Sequence, residues 1–256
     1  MSFELTILGS GSSAGTPVVG CRCSTCLSAN YKNNRTRCSS LITLGNGKNI
    51  LIDCSPDLRQ QSLRESIKSI DSVLFTHTHA DHCHGIDDLR AFCQINKQQI
   101  PIYGNKDTIE QLKVKFGYAM SEPNGFWEKP VLNPQIIDGP SQLFGATIIP
   151  VPILHGRLLI NGYRIGNLAY LTDVSEIPIK SLELLRGLDV LLLDCLRHEP
   201  HYTHFGFDQC LEMAKKINAK ETYLIHMTHD FEYEALKNKL PKSLYAGYDG
   251  LKLSLN

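Results

Sequence analysis

Short apolar runs alternate with amphipathic segments along the whole chain. Runs of aliphatic and β-branched residues predict strands, and segments with apolar residues three or four positions apart predict helices. The predicted strands are 3–8, 39–44, 48–52, 73–75, 100–103, 146–151, 167–171, 190–193 and 222–225. The predicted helices are 56–67, 86–95, 108–116, 179–185 and 207–217. This alternation predicts an α/β fold, which some schemes would call α+β.

Two breaks in the pattern predict a turn and a long loop. The Asn46-Gly47 step separates two strand-like runs and predicts a β-hairpin. A segment rich in Pro, Asn and Gly follows the helix 108–116, and its length makes it a candidate lid. Because no linker-like gap interrupts the chain, we expect residues 1–256 to form a single domain.

Composition narrows the possible partners and location. The 256 residues, of which 42% are hydrophobic, suffice for a sizeable core. The chain has 26 Lys plus Arg residues and 26 Asp plus Glu residues, so it has no overall positive charge that would favour nucleic acid. A local basic patch is still compatible with these totals. The chain start has no signal-peptide pattern and no apolar run reaches membrane-spanning length. We therefore expect a cytoplasmic protein without a membrane partner.

A string of metal-capable side chains directly follows the strand 73–75. His77, His79, Asp81 and His82 fall within six positions. Neutral imidazole and ionised carboxylate are ligands that borderline divalent ions accept. A single histidine in a loop is usually not a ligand, but a His-x-His-x-Asp-His string indicates metal binding.

Three later apolar runs each end in one more metal-capable side chain. His155, Asp173 and His226 all occupy this position. Open α/β sheets place their sites beyond the carboxyl ends of strands. We therefore expect these three residues to join the histidine string in one site.

Nine cysteines in a chain without an export signal indicate thiols used as ligands or as packing residues. Cys21, Cys23 and Cys26 lie close together, whereas the other six are scattered and are predicted to pack in the core. A tetrahedral structural zinc needs a fourth ligand, and His229 could supply it. We predict a zinc-binding loop at 20–27, with a redox or fortuitous cysteine cluster as the alternative.

The histidine string and the later strand ends resemble the metallo-β-lactamase superfamily over nearly the whole chain. The resemblance implies a four-layer αβ/βα sandwich of two mixed β-sheets flanked by helices. It implies that one metal is bound by His77, His79 and His155, and a second by Asp81, His82 and His226. Asp173 would bridge the two, and because true β-lactamases of this fold usually replace that aspartate, it favours the phosphodiesterase and glyoxalase-like branches.

A second histidine-rich segment spans 198–204. Phosphodiester cleavage needs a proton donor for the departing oxygen, and histidine is the usual one. His204 is our candidate, and it matches the catalytic histidine that phosphodiesterases of this superfamily carry. Asp208 could orient the His204 ring, or it could only interact favourably with the dipole of the following helix. Asp53, which ends the hairpin, could hold a ligating imidazole or could simply belong to a turn.

The cysteine loop with His229 resembles the phosphoribosyl 1,2-cyclic phosphate phosphodiesterases of the carbon-phosphorus lyase pathway (PhnP type). In that family a zinc bound by such residues stabilises the segment that forms one side of the active site. The resemblance implies two divalent ions, manganese or zinc, at the catalytic pair and one structural zinc. We predict a metal-dependent phosphodiesterase acting on a small cyclic phosphodiester such as 5-phosphoribosyl 1,2-cyclic phosphate, with Asp81 and His204 as catalytic residues. A homodimer is compatible with this prediction.

Three other functions remain open at this point. A tRNA 3′-processing endonuclease needs an RNA-docking surface, and the loop 117–131 contains a single basic residue, Lys129. A glyoxalase or lactonase would use a similar pair of metals on a carbonyl substrate. A zinc-stabilised interaction module would bind metal and hydrolyse no ester.

Overall fold

Strands form along the apolar runs of the chain and assemble into two sheets. The computed structural model describes residues 2–122 and 128–255. The strands are β1 (Phe3–Gly9), β2 (Ser39–Leu44), β3 (Asn49–Ile52), β4 (Ser72–Leu74), β5 (Ile100–Gly104), β6 (Leu132–Ile136), β7 (Ser141–Leu143), β8 (Ala146–His155), β9 (Leu158–Ile165), β10 (Leu168–Leu171), β11 (Val190–Asp194), β12 (Glu221–Ile225), β13 (Leu244–Ala246) and β14 (Lys252–Leu255).

The helices connect these strands. They are α1 (Leu58–Arg64), α2 (Ala80–Cys83), α3 (Arg90–Asn96), α4 (Lys106–Lys115), α5 (Ile179–Leu184), α6 (Phe207–Ile217) and α7 (Tyr233–Lys239). Three short 3-10 helices cover Tyr31–Asn33, Ile86–Leu89 and Gly117–Met120.

Each sheet has seven strands and mixes antiparallel with parallel pairs. The order in the first sheet is β14-β1-β2-β3-β4-β5-β6, and in the second it is β13-β12-β11-β10-β9-β8-β7. In the first sheet the pairs from β14 to β3 are antiparallel and those from β3 to β6 are parallel. The second sheet repeats this division, antiparallel from β7 to β10 and parallel from β10 to β13.

Apolar packing divides the molecule into four layers. One cluster joins the two sheets, with Leu5 and Ile42 on one side and Ile148 and Tyr163 on the other. A second cluster packs the outer face of the second sheet against α5, α6 and α7. A third packs the first sheet against α1, α3 and α4. Three apolar interfaces between four layers confirm the predicted αβ/βα sandwich of two mixed sheets.

Every predicted strand and helix corresponds to an observed one, but several observed elements were not predicted. The predicted helix 86–95 divides into a 3-10 turn and α3. The missed elements are β6, β7, β9, β13, β14, α2 and α7. In β9 the Asn161-Gly162 step is a turn signal that weighs against a strand. A Cβ at Gly162 would lie 2.9 Å from the carbonyl oxygen of Tyr170, so glycine is needed there for close packing.

The segment predicted as a lid is only partly loop. It begins with the 3-10 helix after α4 and ends where β6 begins, while residues 123–127 lie outside the described residues. The six scattered cysteines are buried, as predicted. In the described part of the chain, no helix has both the length and the apolar character needed to cross a membrane.

Candidate metal centre

Side chains from the carboxyl ends of strands in both sheets meet at one edge of the sandwich. The histidine string follows β4 of the first sheet. His155 ends β8, while Asp173 and His226 follow β10 and β12 of the second sheet. The structure therefore brings all seven predicted ligands into neighbouring groups, as the strand-end argument expected.

The first group combines three histidines with one carboxylate. The candidate ligand atoms of His77, His79, His155 and Asp173 all lie within 4.8 Å of one another. Burial lowers the pKa of each of the three imidazoles below its ordinary value. Neutral imidazole is the form that binds a metal, so this group is ready to donate.

The second group is more highly charged. Ligand atoms of Asp81, His82 and His226 also lie within 4.8 Å of one another. Burial lowers the pKa of His226, but Asp173 and neighbouring carboxylates outweigh it and raise the pKa to about 9. Burial also lowers the pKa of His82, but Asp173 and neighbouring carboxylates outweigh it and raise this pKa well above its usual value. In the metal-free protein, protons on these rings balance the carboxylates, and a divalent cation would displace them.

Asp173 lies between the two groups and turns one oxygen toward each. Its Oδ2 is 3.7 Å from Nε2 of His77 and 3.8 Å from Nε2 of His155. Its Oδ1 is 3.1 Å from Nε2 of His82 and 3.4 Å from Nε2 of His226. One carboxylate that faces two ligand sets through separate oxygens has the geometry of a bridging ligand.

The residues fit a pair of divalent ions because the rings of His77, His82 and His155 are each held at Nδ1 and present Nε2 to the centre. Nε2 of His77 is buried and makes no hydrogen bond with the described residues, and Nε2 of His82 faces the carboxylates of Asp81 and Asp173 at 3.2 and 3.1 Å. The opposite nitrogen of His82 lies 2.8 Å from Asp53 Oδ2, so of the two roles considered for Asp53 the structure supports the one in which it holds this imidazole. Nδ1 of His155 donates to the carbonyl of Thr203 at 2.9 Å. Such partners fix ring orientation around metals.

Three residues of the centre have left-handed backbone conformation. The φ angles are +59° at Asp53, +58° at Asp173 and +59° at His226. Asp53 and His226 come directly after β3 and β12, and Asp173 comes two positions after the end of β10, so the conformation occurs where the strands end. Residues with side chains adopt this conformation rarely, and its occurrence three times in one site marks a functional constraint.

The carboxylate that contacts His204 is Asp194, and of the two roles considered for Asp208 the structure supports the interaction with the helix dipole and not the orientation of His204. Nδ1 of His204 lies 3.2 Å from Asp194 Oδ2, which leaves Nε2 facing Asp173 Oδ2 at 3.8 Å. Asp208 is exposed in the first turn of α6, where it favours the helix dipole. Asp194 also accepts from the backbone N–H groups of Val174 and Phe205, both at 3.2 Å.

Sequence reasoning missed Asp194, although a signal was present. It is the last residue of the apolar strand β11, the same position relative to a strand that the ligands occupy. Applying the strand-end argument to all parallel strands of the second sheet would have found it.

Substitution Asp194→Asn tests this positioning role. We expect kcat on a phosphodiester to fall about 10-fold to 100-fold, the usual effect of removing a partner that orients a site histidine. KM should change little because Asp194 does not line the cavity. Asp208→Asn is the matched control and should behave as wild type. A loss of activity in the Asp208 variant equal to that in the Asp194 variant would contradict the assignment.

The cysteine loop and His229 also come together. Nδ1 of His229 lies 3.3 Å from Cys21 Sγ, 3.5 Å from Cys23 Sγ and 3.3 Å from Cys26 Sγ. Tetrahedral zinc with ordinary bond lengths would place sulfur and nitrogen ligands about 3.5 Å apart. The backbone N–H of Cys26 lowers the pKa of Cys23 to about 6, which favours the thiolate that zinc binds.

Arg35 fixes the loop that carries His229. It is buried, and its guanidinium donates to the carbonyl oxygens of Thr228 at 3.1 Å and Phe231 at 2.6 Å. The same loop begins at His226, so the cysteine cluster and the metal centre share one rigid support.

Substitution Cys23→Ser should remove one zinc equivalent per chain and lower the free energy of unfolding by about 3 kcal/mol or more, since loss of a structural metal is among the largest single effects. Metal analysis and thermal unfolding measure the two quantities. Ser24→Ala, an exposed neighbour, should leave both unchanged. Unchanged zinc content in the Cys23 variant would argue against a zinc site.

A cavity of about 450 Å³ opens over the metal centre. This volume is typical of sites for small molecules. Its lining residues are Ser13, His79, Asp81, His155, Arg157, Leu158, Asp173, Tyr202, Thr203, His204 and His226.

Comparisons with known proteins agree with this geometry. A model of the β-lactamase superfamily domain matches residues 48–227. The crystal structure of a diphosphatase from the PhnP family is 43% identical with a TM-score of 0.93, and the match covers 100% of this chain and 98% of that one. Human short-form tRNase Z has a TM-score of 0.72 over 98% of both chains, but at 16% identity this likeness shows the fold alone.

One curated relative is a longer protein. The octanoyltransferase of Porphyromonas gingivalis (strain ATCC BAA-308 / W83) is 38% identical over 250 residues, which cover 96% of this chain. The chain spans about half of that relative, 50% of its length.

Proposed function

The chain belongs to the β-lactamase superfamily, and within it to the PhnP family, and from this membership we propose that it is a dinuclear metal-dependent phosphodiesterase. The family, the fold and the ligand cluster are those of metal-dependent hydrolases. The proposed substrate is a small phosphodiester such as 5-phosphoribosyl 1,2-cyclic phosphate.

The observation that carries this proposal is the arrangement around Asp173. Its two oxygens face two separate sets of metal-capable side chains, and His204 points Nε2 at the same carboxylate from the cavity side. A bridging carboxylate and an oriented imidazole in one small cavity supply both metal ligands and a proton donor. That combination suits cleavage of a phosphodiester.

Each residue has a defined task in this proposal. The two ligand groups would hold divalent ions, which would supply activation of water and neutralisation of charge on the phosphate oxygens. Asp194 holds Nδ1 of His204, so that Nε2 is directed into the cavity, where it can protonate the departing oxygen. Asp81 holds one ion together with His82 and His226 and contributes negative charge next to Asp173.

We propose manganese or zinc at the catalytic pair, because mixed imidazole and carboxylate ligands accept either. The three thiols and His229 favour zinc, which prefers tetrahedral sulfur and nitrogen ligands.

Hydrolysis of a diphosphate is the second candidate. The PhnP-family relative with 43% identity is a diphosphatase. A departing phosphate needs less protonation than a departing alkoxide, because phosphate is the weaker base. A diphosphate substrate should therefore depend less on His204 than a cyclic phosphodiester does.

Processing of tRNA has less support. In the described part of 117–131, the ammonium group of Lys129 donates to the carbonyl oxygens of Tyr118 and Ser121 of its own segment. A basic side chain that is engaged in this way is not displayed for RNA.

The test combines metal analysis with a substrate panel. Protein purified without chelators should contain about three metal ions per chain, two of them removable with loss of activity. It should hydrolyse bis-p-nitrophenyl phosphate and 5-phosphoribosyl 1,2-cyclic phosphate in preference to lactones, thioesters and precursor tRNA. Bound metal without hydrolysis of any phosphodiester would contradict the proposal, and preferential cleavage of precursor tRNA would replace it with the endonuclease.

A further inference from the structure

Arg157 is the one residue with a fixed positive charge among the described residues that line the cavity. The other lining residues that are not candidate ligands are neutral, and they include Ser13, Leu158 and Tyr202. An arginine in the lining of a cavity over a candidate metal centre is suited to bind an anionic group of a substrate.

The backbone of Arg157 is fixed relative to the metal centre. Gly156 and Arg157 form a two-residue turn between β8 and β9, because His155 pairs with Leu158 across the hairpin. Gly156 has a φ of +61°, as expected for the first position of a type II′ turn. Its N–H donates to Ser175 Oγ at 2.8 Å, which fastens the turn to the loop after Asp173.

The opposite side of the turn packs against the segment that carries His204. A Cβ on Gly156 would lie 2.9 Å from Thr203 Cγ2, so only glycine allows this approach. The carbonyl of the same Thr203 accepts from His155. Arg157 is therefore held two residues from a candidate metal ligand, with little freedom in its backbone.

The side chain of Arg157, in contrast, is uncommitted. It is exposed, and it makes no hydrogen bond or ion pair with the residues that the structure describes. The carboxylates of the cavity, Asp81 and Asp173, are already engaged by imidazoles. A guanidinium presents five donors in a planar fork that matches phosphate oxygens.

Tyr202 provides an apolar surface in the same cavity. It is 83% exposed, and its ring lies 4.6 Å from the ring of His201. Leu158, which is 37% exposed, follows Arg157 directly. An exposed aromatic ring and an aliphatic side chain near a cation suit a substrate that carries a sugar or base next to a charged group.

We propose that Arg157 binds a second phosphate of the substrate, distinct from the phosphate that is cleaved, and that Tyr202 packs against the sugar or base next to these phosphates. This proposal rests on the proposed phosphodiesterase function. The second phosphate has two chemical sources: a terminal phosphomonoester on a cyclic phosphodiester, or the neighbouring phosphate of a diphosphate.

Two substrate pairs distinguish the sources. The first pair is 5-phosphoribosyl 1,2-cyclic phosphate and ribose 1,2-cyclic phosphate, which lacks the terminal phosphate. The second pair is ADP-ribose and the p-nitrophenyl ester of AMP, which lacks the diphosphate. Only the pair that contains the true source of the second phosphate should show a preference. For that pair, wild type should favour the member with the extra phosphate by about 10-fold to 100-fold in kcat/KM, the effect of a charged hydrogen-bonded pair.

Arg157→Ala should abolish that preference, mainly through KM, and Arg157→Lys should retain part of it. Arg186→Ala, which removes an exposed arginine outside the cavity, should leave the preference intact. An equal loss on both members of each pair would overturn the proposal, as would wild-type enzyme that favours neither member.

Calorimetric binding of ribose 5-phosphate separates this proposal from the proposed function. Binding that weakens at least tenfold in Arg157→Ala supports the phosphate-binding role even if no phosphodiester is hydrolysed. Equal binding by wild type and Arg157→Ala overturns that role even if the enzyme is a phosphodiesterase.

Discussion

Replacing His204 by alanine is expected to lower kcat on a cyclic phosphodiester by about 100-fold to 10,000-fold, the range that general acid catalysis contributes. The imidazole is held by Asp194 at 3.2 Å and faces Asp173 from the cavity side. Without it, the imidazoles that remain in the described lining of the cavity are those of candidate metal ligands. Metal content should stay at the wild-type level, which elemental analysis of the purified variant measures.

The control for this experiment is His198→Ala. His198 belongs to the same segment, but it is exposed and its ring packs against Phe231 at 4.5 Å, outside the cavity. Its removal should leave turnover close to that of wild type. Because Asp173, His204 and His226 also form a group that could hold a metal, a loss of metal in His204→Ala would identify His204 as a ligand and not as the acid.

Replacing Asp173 by alanine is expected to have a still larger effect. Its oxygens face both ligand groups, so one substitution should weaken both metal sites. Turnover should fall by about 1,000-fold or more, beyond the 10-fold to 100-fold typical of residues that only orient a ligand. The metal content should drop from about three ions per chain to about one.

The remaining ion should be the zinc at the cysteine loop, because that cluster shares no ligand with Asp173. Double substitution of Asp173 and Cys23 should then remove all bound metal. Asp138→Ala, which alters an exposed aspartate, is the control. Retention of two labile ions by Asp173→Ala would show that the carboxylate does not bridge.

The metal centre was largely predictable because its ligands obey a local rule. Each follows an apolar run, and carboxyl ends of neighbouring strands meet at one edge of a sheet. The histidine string needed no knowledge of the fold, since its spacing alone indicates metal binding. Asp173 and His226 became convincing only when considered together with it.

Proximity along the chain made Asp208 a candidate for the carboxylate that orients His204, but the contact depends on proximity in space. Asp208 lies four positions after His204, but the chain enters α6 between them and turns Asp208 to solvent. Asp194 lies ten positions before His204 and reaches it because β11 ends directly beside the segment that returns to the cavity.

The sequence pattern did not indicate a role for Arg157, for a related reason. Strand β9 was not predicted, so the two-residue turn that carries Arg157 was not recognised as a hairpin next to His155. The glycine at position 162 belongs to a step that is typical of turns, but in the structure it allows the backbone to approach β10. Such close approaches depend on tertiary packing and leave little trace in a local pattern.

The left-handed backbone at Asp53, Asp173 and His226 lowers the stability of the fold at three positions where the site needs a side chain. Each non-glycine residue in this conformation costs on the order of 1 kcal/mol. Glycine would relieve that cost, but it would also remove a ligand or the carboxylate that holds one. Selection for stability alone would favour glycine at these three positions, so their side chains persist only under selection for the chemistry of the site.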